Sequence, residues 1–253
     1  MKKAVIGTLF GVLGFAGCLV VTVPAAWVWH LLPQKPANVQ LYGISGSLWQ
    51  GQVEQVVFDG RSLEQLQWQL LPQKLLTGAI GGSLKITGNP VQAHANIQYG
   101  WSGLEIENGR LHTPLNWLIG RQKLLMNAQV GGSSTLTLRT YQQGTPWCEQ
   151  LQGRLLVTGL DINSSMGAYA LGDLAGALRC QQGQLILQMD ANENRIGIAG
   201  ELRLMAANRI DINATIRPTA EQPASLKTLL PMLGQADVNG AYPFKYQGPI
   251  PIL

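Results

Sequence analysis

The residues best placed for covalent chemistry are two cysteines, Cys148 and Cys180. The chain has 3 cysteines, and Cys18 lies in an apolar N-terminal run, so these two remain for the rest of the chain. In an oxidising compartment we expect them to form a disulfide, which would close a loop of about thirty residues and stabilise the fold by ~3 kcal/mol on the loop-entropy model. Unpaired core thiols or a metal site are the alternatives, although two cysteines without a nearby histidine suit zinc poorly.

A second pattern has the spacing of a calcium-binding loop. Asp190, Asn192 and Asn194 stand at its first, third and fifth positions, and Glu201 stands at the twelfth. Arg195 occupies the sixth position, where such a loop requires glycine, and the flanking residues alternate like strands. The segment is therefore predicted to be a polar hairpin turn.

Patterns typical of catalysis are weak. The histidines His30, His94 and His112 have no second ligand at metal spacing in the sequence. The sequence contains no G-x-S-x-G nucleophile elbow, and Ser45 is interpreted as a turn residue in a glycine-rich stretch. We therefore expect no enzymatic activity, no metal and no cofactor.

The N-terminal run decides where the rest of the chain lies. From Ala4 to Trp29 the only ionisable side chain is the thiol of Cys18, and a membrane-spanning helix needs roughly 20 apolar residues. Lys2 and Lys3 precede the run, and basic flanks stay on the cytoplasmic side of a membrane. We predict a cytoplasmic stub, a single transmembrane helix and an exported domain at residues 1–3, 4–32 and 33–253.

Two other interpretations of the run stay open. A cleaved secretory signal could end near Val23–Ala26, although the apolar core exceeds the roughly 7 to 15 residues usual for a signal. The segment Phe15–Cys18 has some likeness to a lipoprotein processing site, which would make Cys18 a lipidated N-terminus.

Three glycines in the run are candidates for helix packing. Gly7, Gly11 and Gly14 fall on one face of a helix, where small residues let a second helix approach closely. The alternative is that glycine is simply common in membrane helices.

Composition excludes one class of partner. The chain has 30 glycines and a charged fraction of 13%, about half the usual ~25%. The formal charge of +4 includes Lys2 and Lys3, and no cluster of Lys and Arg follows them. Nucleic-acid binding is therefore not indicated.

Alternation of apolar and polar residues predicts a mainly β exported domain. Leu66–Leu70 and Ile210–Ile216 alternate as expected of strands with one buried face. Glycines two positions before an apolar strand residue recur at irregular spacing, which predicts antiparallel strands entered through glycine turns or bulges. These glycines are Gly46, Gly82, Gly109, Gly153, Gly176, Gly183 and Gly200.

The predicted architecture is an elongated, twisted antiparallel sheet with one or two short helices. Helix-capping patterns place these helices at Thr113–Gly120 and Pro223–Leu233. A weak subdivision is predicted near residues 141–146.

Several motifs resemble the type II secretion system protein N family. Leu41–Gly51 (LYGISGSLWQG) contains a G-x-L-W-x-G element, Leu66–Pro72 (LQWQLLP) and Leu75–Gly78 follow it, and Leu233–Tyr242 is similar to the family's closing strand. Gln69 stands where a basic residue is expected. The resemblance covers the whole chain and assigns structural roles to Gly43, Gly46, Trp49, Gly51, Trp68 and Pro72.

The resemblance implies an accessory component of a machine that carries folded proteins from the periplasm across the outer membrane of Gram-negative bacteria. It implies a single-pass inner-membrane protein with a cytoplasmic N-terminus and a periplasmic bulk, and no catalytic residues. Its partners would be other secretion components, first the inner-membrane platform and then the outer-membrane secretin.

The same resemblance gives an alternative, because the family looks similar to strand-rich periplasmic proteins that handle lipid. A lipid groove needs one sheet face that is continuously apolar and open. A scaffold can fill that face with its own side chains. Alternation within single strands does not distinguish the two.

Overall fold

The computed structural model describes residues 22–31, 38–120, 128–165 and 167–249. Thirteen strands form one antiparallel sheet in which spatial order follows sequence order, so β1 and β13 are its two edges. The mainly β class is confirmed. The strands are β1 Val39–Gly46, β2 Gln50–Phe58, β3 Arg61–Leu70, β4 Ile80–Ile86, β5 Gln92–Gly100, β6 Gly103–Pro114, β7 Gln129–Gln143, β8 Cys148–Ser164, β9 Gly167–Gln181, β10 Gln184–Met189, β11 Ile198–Met205, β12 Arg209–Ile216 and β13 Tyr242–Pro249.

Helices are short and lie at the ends of strands. The α-helices are α1 Ala25–Leu31, α2 Leu115–Ile119 and α3 Ala224–Leu229, and the 3-10 helices are Pro72–Thr77, Ala191–Glu193 and Leu230–Leu233. Both helices predicted from capping patterns are therefore present. In α2 the predicted N-terminal proline, Pro114, is the extended N-cap, and Gly120 follows the last turn.

The N-terminal predictions fall mainly on residues 1–21, which lie outside the described part of the chain, as do Gly7, Gly11 and Gly14. Within the described part, α1 is the first helix, and its seven residues begin at Ala25. Among the described residues no helix combines the length and the apolar character that crossing a membrane requires.

The predicted entry through a glycine turn or bulge is wrong for some of these glycines, although Gly183 lies in the β9–β10 turn and the register of β5 and β6 shifts beside Gly109. Gly82, Gly153 and Gly200 lie inside strands and not in turns before them. The reason is close packing between neighbouring strands. A Cβ on Gly82 would lie 2.2 Å from the carbonyl oxygen of Gln69, and one on Gly200 would lie 2.4 Å from the Cα of Ala214.

The most compact part of the core lies in the C-terminal strands. Ile196, Ile198, Ala214, Ile216 and Leu230 form a buried cluster. Leu230 is only 1% exposed and follows directly after α3, so this helix covers the apolar side of β11 to β13. Burial of these aliphatic side chains stabilises this end of the sheet.

The β7–β8 connection closes the other end of the same strands. Cys148 and Cys180 form a disulfide that joins β8 to β9, as predicted for an oxidising compartment. Trp147 donates from Nε1 to the carbonyl oxygen of Met205 at 2.8 Å, so the connection reaches across to the end of β11. The predicted subdivision near residues 141–146 falls at the end of β7 and in this connection, and β7 and β8 are directly paired.

The segment with calcium-loop spacing folds as the polar turn that was predicted. The 3-10 helix Ala191–Glu193 lies in the connection between β10 and β11. The Asp190 carboxylate accepts a hydrogen bond from the backbone N–H of Asn192 at 2.9 Å. Glu193 pairs with Arg154 at 3.0 Å on the exposed surface.

Candidate functional site: a two-faced sheet

Cross-strand partners connect one residue from every strand into a single apolar row. The strands are antiparallel, and each member of the row is the direct cross-strand partner of the next. The row consists of Ile44, Val53, Leu66, Ile86, Ala93, Leu111, Leu136, Leu155, Gly176, Met189, Gly200, Ala214 and Phe244.

The neighbouring row, one residue along each strand, is polar in all but one position. Successive side chains of a strand point to opposite faces, so this row lies on the other side of the sheet. It consists of Ser45, Gln52, Gln67, Lys85, His94, Arg110, Thr137, Arg154, Ala177, Gln188, Glu201, Asn213 and Lys245. Along these two rows the sheet therefore has one apolar side and one polar side.

A second apolar row widens the apolar face. Among its members, Leu138 faces Gly153, which in turn faces Leu178, so a glycine separates two large side chains. A Cβ on Gly153 would lie 2.9 Å from Cδ2 of Leu138, which shows how the glycine makes room for the leucine. Further members are Trp68, Leu84, Leu187, Leu202, Ile212 and Tyr246.

The apolar face is only half-buried over most of its length. In the first row, Leu66, Ile86, Leu111, Leu136 and Leu155 all keep part of their surface accessible to solvent. A contiguous, partly exposed apolar surface is typical of a site for a protein partner or an apolar ligand. The apolar face is therefore the candidate functional site.

Charged groups concentrate on the polar face. Glu201 lies between two arginines, 2.5 Å from Arg179 and 2.8 Å from Arg203. His94 and His112 line a shallow depression of this face together with Lys85 and Arg110. His112 contacts the hydroxyl of Thr135 at 2.9 Å. Within the described residues, no three metal-ligating side chains come together.

The residues of the G-x-L-W-x-G motif build the β1–β2 corner. Gly46 has a φ of +88° at the end of β1, a conformation that favours glycine. The indole of Trp68 packs over Gly51, because a Cβ there would lie 2.4 Å from its Cζ2 atom. Trp68 also donates from Nε1 to the carbonyl oxygen of Leu48 at 2.9 Å, which fixes the turn.

The remaining motif residues surround this corner. The carbonyl oxygen of Trp49 accepts a hydrogen bond from the backbone N–H of Leu70 at 2.6 Å. Pro72 then begins the 3-10 helix that connects β3 to β4. Gly43 has a φ of +67°, and the side chain of Glu54 packs against it.

The N-terminal segment joins the sheet at the same corner. The carbonyl oxygen of Val23 accepts a hydrogen bond from the backbone N–H of Leu48 at 3.0 Å, and Pro24 forms an isolated bridge with Ser47. The motif therefore shapes the place where the chain arrives from the N-terminal run. No feature of the motif read in the sequence alone indicates this pairing.

The described strands form an open antiparallel sheet with one half-exposed apolar face. Comparison with known proteins then gives the family. The model of the family described as "Type II secretion system (T2SS), protein N" matches residues 37–245, which include both motifs. The chain belongs to this family.

Relatives cover almost the entire chain. A protein of Aeromonas hydrophila named Type II secretion system protein N is 34% identical over 98% of this chain and 99% of the relative. A protein of the same name from Vibrio cholerae serotype O1 is 32% identical over 98% of this chain and 99% of its own length. A Klebsiella pneumoniae protein of that name is 25% identical over 88% of this chain. No solved structure matches the chain significantly.

Proposed function

We propose that this chain is an accessory inner-membrane scaffold of the type II secretion system, which supports export of folded proteins from the periplasm across the outer membrane. Its family membership supports a role in this system. The observation that carries the scaffold role is the apolar face, because a continuous, half-exposed apolar surface is suited to docking another component.

In this proposal, the part of the 4–32 segment that precedes Val23 crosses the inner membrane once, because Val23 and Pro24 already pair with the β1–β2 corner, and residues 33–253 lie in the periplasm. The uncharged run from Ala4 to Trp29 supports the membrane segment. The disulfide between Cys148 and Cys180 supports the periplasmic placement, because disulfides form and persist in oxidising compartments.

The partners we propose are the inner-membrane platform and, further from the membrane, the outer-membrane secretin. Two kinds of surface are available to them. The apolar face offers side-chain contacts, and the outer edges of β1 and β13 offer backbone groups for strand addition. β13 contains Pro243 and Pro249, which lack a backbone N–H, so β1 is the better edge for an added strand.

The scaffold role is tested by placing a photo-crosslinking amino acid at Leu84 of the full chain in secreting cells. Leu84 lies on the apolar face, and the adjacent Lys85 on the polar face is the matched control position. We expect Leu84 to capture a secretion component and Lys85 to capture none. If Leu84 captured nothing while the protein accumulated normally, the docking role of the apolar face would be wrong.

A lipid-handling role is the second candidate, and the same face favours it. Side chains such as Leu111 and Leu136 remain partly exposed and lie in an uninterrupted apolar row, which is what an acyl chain would require. The ligand would be a phospholipid of the inner membrane.

The crosslinking experiment separates the two candidates by the mass of the adduct. A protein-sized adduct at Leu84 supports the scaffold, whereas an adduct with the mass of a phospholipid supports lipid handling. Mass spectrometry of the purified adduct makes the distinction. An adduct of neither kind contradicts both.

A further inference from the structure

Exposed apolar side chains gather at one end of the sheet. Trp101, in the turn between β5 and β6, is 93% exposed, and Leu76, in the 3-10 helix Pro72–Thr77, is 90% exposed. Four further large apolar residues at this end are also exposed. We call the whole group the tip patch: Leu71, Leu75, Leu76, Ile80, Tyr99 and Trp101.

The two parts of the tip patch touch each other. Trp101 lies against Gly78, since a Cβ on this glycine would be 2.6 Å from the indole Nε1. Ile80 and Tyr99 are direct cross-strand partners in β4 and β5. The patch is therefore one surface formed by two consecutive connections.

The N-terminal run arrives at the same end of the sheet. In an antiparallel sheet in sequence order, the β1–β2, β3–β4 and β5–β6 connections lie at one end, with successive connections roughly 10 Å apart. Val23 pairs with Leu48 in the β1–β2 connection. The uncharged run that starts at Ala4 thus ends within about 20 Å of the tip patch.

The chemistry of the tip patch fits a membrane surface. Tryptophan and tyrosine prefer the boundary between headgroups and hydrocarbon. The 3-10 helix of the tip patch carries Lys74, and no acidic residue occurs between Leu71 and Trp101, which suits anionic headgroups. Glu105 lies just beyond, where it accepts a hydrogen bond from the hydroxyl of Ser102 at 2.7 Å.

We propose that the tip patch rests in the headgroup region of the phospholipid bilayer that holds the N-terminal run. This inference depends on the proposed membrane anchor. Contact through the tip patch holds the β3–β4 and β5–β6 connections of the sheet at the membrane surface.

Site-directed spin labelling of the full chain tests the proposal. In a Cys18→Ala background with the disulfide intact, single labels are placed with Leu76→Cys and Ser102→Cys at the tip patch and with Asn89→Cys at the opposite end of β4 and β5. The chain is reconstituted into vesicles of phosphatidylethanolamine and phosphatidylglycerol. Collision with oxygen reports the bilayer, and collision with a nickel chelate reports water.

We expect labels at positions 76 and 102 to shift towards oxygen and the label at 89 to remain accessible to nickel. A fourth label, with Leu13→Cys, reports the anchor separately. If the label at position 13 lies in the bilayer while the labels at positions 76 and 102 are as accessible to nickel as the label at position 89, the tip-patch proposal is wrong and the anchor stands. A water-exposed label at Leu13 would overturn the anchor and this proposal together.

Discussion

The C-terminal and the N-terminal strands of the sheet share the alternation of apolar and polar residues, but they differ in how far their apolar side chains are covered. In β11 to β13, α3 and Leu230 cover the apolar face, Trp147 bonds to the end of β11, and a disulfide joins β8 to β9. In β1 to β6, apolar side chains such as Ile80 and Trp101 remain exposed. The difference indicates that one half provides stability, which leaves the other half free to present an apolar surface.

The largest expected effect comes from removing the disulfide. Replacing both Cys148 and Cys180 with serine should lower the free energy of unfolding by about 3 to 4 kcal/mol, because the unfolded chain regains the freedom of a closed loop. Urea denaturation of the full chain in detergent measures the change. Cys18→Ser is the control and should leave the urea midpoint unchanged. An equally small effect of the double variant would contradict the stabilising role of the disulfide.

The next largest effect is expected in the buried C-terminal cluster. Leu230→Ala removes a side chain that is 1% exposed, and such a cavity costs about 3 kcal/mol. The matched control is Leu233→Ala, since Leu233 is 39% exposed in the same 3-10 helix. Equal shifts of the urea midpoint for the two variants would show that this region is not the compact half.

A smaller loss is expected at the motif corner of the N-terminal half. Gly51→Ala places a Cβ 2.4 Å from Cζ2 of Trp68 and 2.7 Å from the carbonyl oxygen of Ser45, and moving both the indole and the β1 backbone should cost about 1 to 3 kcal/mol. Gly81→Ala is the control, because its Cβ would have ordinary contacts, the nearest at 3.4 Å. Thermal unfolding followed by tryptophan fluorescence compares the two, and a more damaging Gly81→Ala would contradict the assigned packing.

The smallest effect is expected at the tip patch. Leu76→Ala repeats the Leu230→Ala truncation at a side chain that is 90% exposed, so the unfolding free energy should change by less than about 0.5 kcal/mol. Urea denaturation under identical conditions gives the direct contrast. A loss near that of Leu230→Ala would mean that the N-terminal half buries this leucine in a core of its own.

Sequence alone predicted the strand-rich class well, because Leu66–Leu70 and Ile210–Ile216 alternate with a period that only a strand satisfies. The short helices were predictable from caps and stops such as Pro114 and Gly120. The disulfide followed from counting cysteines and from the expected compartment.

The continuous apolar row could not be read in the same way. Each strand shows which of its residues share a face, but the register between strands decides whether Leu136 meets Leu155 or a polar neighbour. The role of Gly200 was mispredicted for a related reason. Its need for glycine arises from the backbone at Ala214 in the next strand, a contact that local sequence does not contain.

The central claim is that the apolar face is a working surface of the secretion system. It is tested most directly by measuring secretion of a folded substrate in cells that carry Leu84→Glu or the adjacent Lys85→Glu in the full chain, at equal protein levels and with the disulfide formed. The account predicts that Leu84→Glu abolishes secretion while Lys85→Glu secretes like the unaltered chain. Equal secretion by both variants would contradict it.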